Sequence, residues 1–538
     1  MAEKGGGILR NTFTVGAFTA LSRVLGLVRE MLQSRLIGAG VEQSAFTLAF
    51  AIPNMARKLF GEGALTAAFV PIFKGEVESG DFGRAARLAR AVMTTVLLTL
   101  AAAVFLCMGG LEAVVAYRRE LGLMDAPRLK LTVRLVKEML PYMIFICGAA
   151  FGMGVLNSLG RFKAAGFMPS ILNVCWIAVL GWISFFPDMA IDRRIHRIAI
   201  AIVVAGALQM AFLFWRMAEA GVSPRPAFSG WRDPKVVLVW KNLGLAAVGA
   251  GAVQINYMLD QLLAQLANEW AAGVIGYAER LMDLPLGVVG VAFGTVLLPT
   301  FAGRFAKGDV DGVREAFSSS LKSMLFVMLP AAVGLHVLSQ EITSVIYQGR
   351  AFDATATLRV SRALAVYAAG LGFFGVQKML VPWFQAQKDM KTPLRVSLVT
   401  VALNVTLNVL AVTCLPSEWR HVGLAWSTVV CAVTGCALLV ALAIRRNGSL
   451  GLSGCVAPVA KMLAASFAMG VVVYVSRPFV VASCDACLPE VPARIASLAV
   501  MVAAGGVAYA AAALALMRGE ARTLLRRRSA KREPGEVG

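Results

Sequence analysis

Phe69 to Ala85 reads FVPIFKGEVESGDFGRA, and Leu297 to Val313 reads LLPTFAGRFAKGDVDGV. Pro71, Phe73, Gly80 and Asp81 of the first stretch fall on Pro299, Phe301, Gly308 and Asp309 of the second at one constant spacing. Each stretch follows one long apolar run and precedes another, so the two punctuate copies of a single helical unit. A looser echo links GRFKAAGFMP, ending at Pro169, with AQKDMKTP, ending at Pro393.

Working outward from that pair, apolar runs bounded by charge or by Gly and Pro fall near residues 13–37, 45–73, 88–110, 132–158, 164–186 and 195–217. Eight more follow near 236–266, 272–300, 317–345, 358–386, 393–415, 421–444, 456–477 and 494–517. Most are long enough to cross a hydrocarbon core of about 30 Å as helix. The composition agrees. Of 538 residues 58% are hydrophobic and 15% charged, with a mean hydropathy of +0.72, whereas a soluble domain runs near 45–50% apolar and about 25% charged. This excludes a soluble enzyme, a disordered scaffold and a nucleic-acid binder, although the net charge is +21. In a membrane protein such an excess reports loops facing anionic headgroups.

The expected fold is an all-α polytopic membrane protein of about fourteen transmembrane helices. Two pseudo-symmetric six-helix lobes and two extra C-terminal helices surround a central cavity. The divisions fall at 1–218 (spans one to six), 219–446 (spans seven to twelve), 447–518 (the last two spans) and a basic tail at 519–538. An even number of spans per copy makes the repeat parallel, about an axis along the membrane normal, as in transporters whose halves rock around a midplane site. The start of the chain has no uninterrupted apolar core with a cleavage site and reads as an uncleaved first span. With the N-terminus inside, roughly twice as many Lys and Arg fall in cytoplasmic as in external segments, and Arg526-Arg527-Arg528 anchors the tail on the same side.

Charges inside the spans carry the functional signal. Placing Arg at mid-membrane costs about 2.5–3.5 kcal/mol on insertion scales, so such residues face a cavity or a partner. Arg23, Arg29 and Glu30 lie in span one, Arg57 and Lys58 in span two after Pro53, and Arg280 and Asp283 at the head of span eight. Guanidinium forks bind phosphate bidentately and stay charged when desolvated, so cations drawn from both halves suit a pyrophosphate. The alternative is that Arg29–Glu30 and Arg280–Asp283 are structural pairs and that Arg57-Lys58 marks a membrane boundary. A different polar group stands in the second half: Asp260, the i, i+4 pair Asn404 and Asn408, and Thr428. It reads either as a small-cation site of hard oxygen ligands or as interhelical hydrogen-bond glue.

Nine cysteines are scattered. Seven sit in or beside apolar segments as small buried hydrophobes. Cys484 and Cys487 form a C-x-x-C in the loop Ser483–Pro489 and are candidates for a local disulfide. The three histidines are far apart in sequence, and no metal constellation is visible.

Three stretches closely resemble the MurJ/MviN family of lipid II flippases: SRVLGLVRE (Ser22–Glu30) with GAG (Gly38–Gly40) and AFAIPNMARKLFGEGALTAAFVPIF (Ala49–Phe73), YAERLMDLPLGVVGVAFGTVLLPTF (Tyr277–Phe301), and QKDMKTP (Gln387–Pro393). The resemblance covers most of the chain and weakens after about residue 445. It implies a bacterial inner-membrane flippase of the multidrug/oligosaccharidyl-lipid/polysaccharide exporter superfamily, with both termini cytoplasmic. By alternating access such a protein moves undecaprenyl-pyrophosphate-linked peptidoglycan precursor to the outer leaflet, with no covalent chemistry and no cofactor beyond a sodium ion in some members. The substrate-contacting positions it implies are Arg23, Arg29, Arg57, Arg280, Asp283 and Glu62. Those for a coupling ion are Asp260, Asn404, Asn408 and Thr428. The last two spans become a groove for the polyprenyl tail, the partners become lipid II, membrane lipids and the cell-wall synthesis machinery, and the expected state is a monomer. Two departures stand out. Ser44 occupies a position where many members carry Asp, with Glu42 nearby, and Asn408 stands where an acidic ion ligand is expected. The rival readings are a sister exporter of drugs or of another polyprenyl-linked oligosaccharide, a membrane glycosyltransferase, and a non-transporting scaffold. Arginines where a cationic-drug pump wants carboxylates, and the absence of a paired acidic motif in the outer loops, argue against the drug exporter and the glycosyltransferase.

Overall fold

The computed structural model describes residues 2–59, 64–120, 127–228 and 230–517. Glu62 and the basic tail from Arg518 onward lie outside the described residues. Among the described residues there is no strand, and helices follow one another in the order α1 (Ala2–Ile37), α2 (Val41–Ala56), α3 (Ala64–Glu78), α4 (Phe82–Glu120), α5 (Pro127–Ser158), α6 (Phe162–Ser184), α7 (Ile191–Glu219) and α8 (Pro234–Ala267). Then come α9 (Ala271–Ala306), α10 (Val310–Val337), α11 (Ser339–Tyr347), α12 (Ala354–Ala386), α13 (Lys391–Cys414), α14 (Arg420–Asn447), α15 (Val456–Cys487) and α16 (Glu490–Leu516). Ten of them, α4 to α7, α10 and α12 to α16, are each long and apolar enough to cross a bilayer. The α1 helix, the α2–α3 pair, α8 and α9 fall on the other four expected spans, so the chain is a multi-pass membrane protein.

Three local readings need correction. Span two does not run as regular α-helix: α2 carries Pro53 inside it and passes into a π-helical turn at Arg57–Leu59. Proline removes one ladder hydrogen bond, and π turns are rare features that gather at functional sites. Span nine breaks at Leu338, whose N–H still closes on the Gly334 carbonyl at 2.9 Å before α11 starts at Ser339. The segment holding Cys484 and Cys487 is the last turn of α15 rather than a loop, and both are free thiols.

The internal repeat is visible in the geometry of its turns. Gly80 and Gly308 both adopt the left-handed conformation, at φ 85° and 71°. The residue after each caps the next helix: Asp81 Oδ1 accepts from the Arg84 N–H and Asp309 Oδ1 from the Gly312 N–H, both at 2.8 Å. The same spacing of 228 residues relates Gly160 (φ 74°) to Lys388 (φ 59°), in the turns that follow α5 and α12. Both turns close by the bond pattern of a Schellman motif: Arg161 N–H to the Leu156 carbonyl at 2.8 Å, and Asp389 N–H to the Phe384 carbonyl at 3.0 Å. Aligning Pro169 with Pro393 therefore places the second echo four residues out of register. Lys388 stands where its counterpart is glycine and is, among the described residues, the one non-glycine with positive φ.

The chain condenses into two compact units, Met1–Gly273 with Tyr347–Ala356, and Val274–Ile346 with Thr357–Gly538. The repeat divides the sequence after α7, but α8 packs with the first unit. Lys235 pairs with buried Glu76 of α3, Trp240 Nε1 donates to Thr95 Oγ1 of α4 at 3.1 Å, and Gln265 Nε2 donates to the Ser44 carbonyl of α2 at 2.7 Å. Aromatic residues form much of each core. In the first unit Phe46 and Phe50 meet Trp176 at 5.6 and 5.7 Å between ring centroids. In the second unit Trp383 is enclosed by Phe301, Phe305 and Phe317 at 5.4–5.6 Å. The last two helices pack on each other, with Gly505 facing Val473 and Met469, and on α10, where the Tyr509 hydroxyl donates to the Phe326 carbonyl at 2.8 Å.

Candidate functional site

The first unit holds three of the arginines singled out from sequence, and their environments differ. Arg29 is locked between α1 and α6. Its Nη1 donates to Asn173 Oδ1 at 3.0 Å, its Nη2 pairs with Glu30, and its Cζ lies 4.3 Å from the centroid of the Trp176 ring. Asn173 is held in turn by α1, donating to the Ser22 carbonyl at 2.9 Å. Glu30 is 5% exposed and Trp176 1%, so the guanidinium sits in a largely dry setting with its face and both Nη groups held, while its Nε has no hydrogen-bond partner among the described residues. A desolvated cation–π contact of this kind is worth about 2 kcal/mol. Arg29 is thus a packed, paired residue. Arg23, on the same helix, is exposed.

Arg57 lies on the π turn that ends α2, where its Nε donates to Asn54 Oδ1 at 3.1 Å. The same stretch rests on α5 through Cys147, whose thiol lies 3.7 Å from the Ala56 carbonyl. Lys58 reaches α8 and places Nζ 5.0 Å from the centre of the Tyr257 ring. The irregular turn therefore presents two adjacent cations at defined positions. Arg280 and Asp283 belong to α9 in the second unit, where Arg280 Cζ is 6.0 Å from the Tyr277 ring and Asp283 is exposed.

Ser44 is fully buried, and its hydroxyl accepts from the Gly273 N–H at 3.0 Å in the first turn of α9. An aspartate does the same task with a full charge, which gives the departure from the family pattern a physical meaning. Gly38, in the GAG motif, is left-handed at φ 81°, and a Cβ there would run into the Ala351 carbonyl. The Ala351 N–H closes the same contact on the Arg35 carbonyl at 3.2 Å.

In the second unit, Asn404 and Asn408 come together as expected, but the group that completes them is Ser427. Asn408 Nδ2 donates to Asn404 Oδ1 at 3.0 Å, Asn404 Nδ2 to Ser427 Oγ at 3.5 Å, and Ser427 Oγ to Asn408 Oδ1. Both asparagines and Ser427 are buried. Thr428 does not join them, because its hydroxyl donates to the Leu424 carbonyl of its own helix at 3.2 Å. Asp260 lies in the first unit on α8 and accepts from Asn256 Nδ2 at 3.2 Å. The three ring residues include no carboxylate, and each side-chain oxygen already accepts a hydrogen bond. With their hydrogen bonds closed on one another, the three residues form a neutral polar ring between α13 and α14. Among the described residues, no group of three His, Cys, Asp or Glu is placed to hold a metal.

The QKDMKTP turn is organised by Asp389. Its carboxylate accepts from Thr392 Oγ1 at 2.6 Å and from the Lys391 and Thr392 N–H groups, both at 3.0 Å, and pairs with Arg446 of α14. The Thr392 hydroxyl first, then those N–H groups and the Arg446 charge, hold its carboxyl below the ordinary range.

Sequence reasoning missed Asn173, Trp176 and Ser427, each of which completes a polar group on another helix. The available signal was a lone Asn or Ser inside an apolar helix, which in hydrocarbon demands a partner.

A family model described as "Lipid II flippase MurJ" matches residues 33–486. The chain is 35% identical over 480 residues to a probable lipid II flippase MurJ of Rhizobium tropici, covering 87% of each. It is 32% identical over 535 residues to the corresponding protein of Rhizobium meliloti, covering 98% of this chain and 96% of that one. Among solved structures, a lipid II flippase MurJ in an inward closed conformation matches with a TM-score of 0.74 at 21% identity, over 94% of this chain and 99% of that chain. An inward-facing multidrug resistance MATE family transporter of the MOP superfamily matches with a TM-score of 0.64 at 14% identity, over 81% and 98%. At those identities the two structures speak for the fold alone.

Proposed function

The chain belongs to the MurJ family of lipid II flippases, and we infer from this that it carries lipid II across the membrane in which its helices lie. The observation that carries the reading is the match of residues 33–486 to the lipid II flippase family, and the Arg29 cluster is consistent with it. A guanidinium fixed by Glu30, Asn173 and Trp176 inside an apolar helix pair keeps its charge and its position. With both Nη groups already engaged, Arg29 acts on a group that carries two phosphates through fixed charge and position rather than as a bidentate fork. In our reading Arg23 and Arg57 contact the pyrophosphate from the first unit and Arg29 positions the local field. Arg280, Asp283 and Glu62 are assigned substrate-contacting roles on the family's motifs alone.

The chain's residues bind and release; no bond is made or broken in the substrate. Transport follows if the arginines hold the headgroup more tightly in a state open to the cytoplasmic leaflet than in one open to the outer leaflet. A net-positive site also senses the membrane potential, at about 2.3 kcal/mol per charge per 100 mV. The reading places the protein in the bacterial cytoplasmic membrane with both termini inside, which puts the Lys- and Arg-rich segments on the side the positive-inside rule requires.

Depletion in cells, followed by an externally added enzyme that degrades outer-leaflet lipid II, tests this. Accessible precursor is expected to fall on depletion and to return with the wild-type chain but not with Arg23→Ala at equal expression. Accessibility that never falls on depletion contradicts the assignment.

A further inference from the structure

At the junction of α3, α4 and the linker that joins α7 to α8, the first unit encloses a cavity of about 740 Å³. Three arginines of α4, Arg84, Arg87 and Arg90, line it at intervals of three residues, together with Lys235, Glu76 and Asp233, whose Oδ1 accepts from the Lys235 N–H at 2.8 Å. Arg84 makes an exposed pair with Asp81 at 3.4 Å. Arg87 is exposed, while Arg90 is half-buried and its Nε has no hydrogen-bond partner among the described residues. Glu76 is 7% exposed. One of its oxygens takes the Lys235 ammonium, and Oε2 is buried with no partner among the described residues. The cavity therefore combines surplus guanidinium donors with one stranded acceptor.

The second copy of the repeat shows that the scaffold does not require those arginines. At the spacing of 228 residues, Arg87 and Arg90 correspond to Glu315 and Ser318 of α10. There the chain after α14 folds a short 3-10 helix, Leu452–Cys455, onto α10, and Ser318 Oγ lies 3.0 Å from Cys455 Sγ. Helix and turn survive with a carboxylate and a hydroxyl in place of two cations. What the first copy gains is a place for an anion. Beside it the linker exposes Phe228 (69%) and Trp231 (59%), and Arg232 stacks on Trp231 at 4.9 Å. Exposed aromatics next to cations mark the level of the lipid headgroups.

We propose that this cleft is a binding site for the phosphate-bearing headgroup of a membrane lipid. Arg87 and Arg90 hold the phosphate oxygens, and Glu76 Oε2 accepts from a hydroxyl or ammonium on the same headgroup. The inference needs only a membrane protein and stands apart from what the arginines of α1 and α2 transport. Two lipids share the phosphate chemistry: a glycerophospholipid of the surrounding leaflet, which also brings a hydroxyl or ammonium to Glu76, and a polyprenyl pyrophosphate reaching the protein from that leaflet, which brings the phosphates alone.

The test is native mass spectrometry of the full-length protein in detergent, titrated separately with phosphatidylglycerol and with undecaprenyl pyrophosphate. Wild type is compared with Arg87→Glu/Arg90→Ser, which installs the residues of the second copy, and with Arg87→Gln, a change at an exposed side chain that leaves the fold intact. The double variant is expected to retain about tenfold less lipid, and Arg87→Gln to lie between it and wild type. A loss confined to phosphatidylglycerol identifies a bulk phospholipid, a loss confined to undecaprenyl pyrophosphate identifies the carrier lipid, and a loss of both identifies a general phosphate site. If Arg87→Gln and the double variant, melting at the wild-type temperature, bind both lipids as wild type does, the site does not exist. Should the double variant fail to fold, an Arg87→Gln protein with undiminished binding of both lipids overturns the proposal by itself.

Discussion

The two copies of the repeat agree in their turns and differ in their polar interiors. Gly80 and Gly308 bend alike, Asp81 and Asp309 cap alike, and the turns at Gly160 and Lys388 close with the same hydrogen bonds. At equivalent positions of α6 and α13, however, stand Trp176 and Asn404. Trp176 carries the Arg29 guanidinium on its face, whereas Asn404 belongs to a neutral ring with Asn408 and Ser427. Backbone geometry is set by short turn signals that tolerate few residues. Interior chemistry is set by single side chains and diverges once the scaffold stands. The fold is duplicated, and the buried Arg–Glu pair is placed in the first copy, although Arg280 and Asp283 keep charge in the second.

Removing the charged group should have the largest effect. Arg29→Ala leaves Glu30 buried without that partner, and breaking a buried pair costs about 3–5 kcal/mol. Thermal melting in detergent should show a large drop, partly recovered by Arg29→Lys. In the second copy Asn408→Ala opens a hydrogen-bond ring instead and strands two neutral partners. It should cost about 1–3 kcal/mol. Exchanging sodium for potassium should leave the melting temperature of wild type and variant unchanged, since the ring is neutral and includes no carboxylate.

The turns allow a finer comparison. Gly160→Ala imposes a left-handed conformation on a side chain, and Lys388→Gly relieves one, so the two should shift stability in opposite directions by about 1 kcal/mol each. Equal signs would mean that the copies do not share this turn.

The smallest effect is a pH dependence confined to the second copy. Asp389 has its carboxyl held below the ordinary value by Thr392, the Lys391 N–H and Arg446. A depressed folded-state value means that the carboxylate stabilises the turn fully above the unfolded value of about 3.9. That contribution is lost as pH falls through the lowered folded value. Amide exchange at Lys391 and Thr392, corrected for intrinsic pH dependence, should therefore lose protection only below about pH 4. The counterpart turn, where Arg161 replaces Asp389, should show no such loss, and Asp389→Asn should abolish the difference.

Much of this was legible from residue order alone. Long apolar runs located the spans because hydrocarbon tolerates little else, and Pro71-Phe73-Gly80-Asp81 gave the repeat spacing because a left-handed Gly followed by a capping Asp leaves a sequence trace. The irregular turn after Pro53 was less legible, since a π turn carries no residue signature beyond the proline. The end of α15 at Cys487 was obscured because Ser483 and Asp485 resemble loop residues. The second echo was misregistered by four residues because Lys388 hides a position that glycine marks in the first copy. The partners of Arg29 could not be read at all: Asn173 lies 144 residues away, and only the packing of α6 on α1 brings it there. Arg84, Arg87 and Arg90 leave no trace in residue order beyond a basic helix start, and only the cavity they line gives them an address.

The central claim is that the charged cluster of the first copy serves transport while the neutral ring of the second serves packing. The most direct test measures outer-leaflet lipid II accessibility in depleted cells rescued by Arg29→Gln or by Asn408→Leu, normalised to folded protein in the membrane. The account predicts that Asn408→Leu restores accessibility and Arg29→Gln does not. Full rescue by Arg29→Gln, or equal failure of both at matched folded levels, would contradict it.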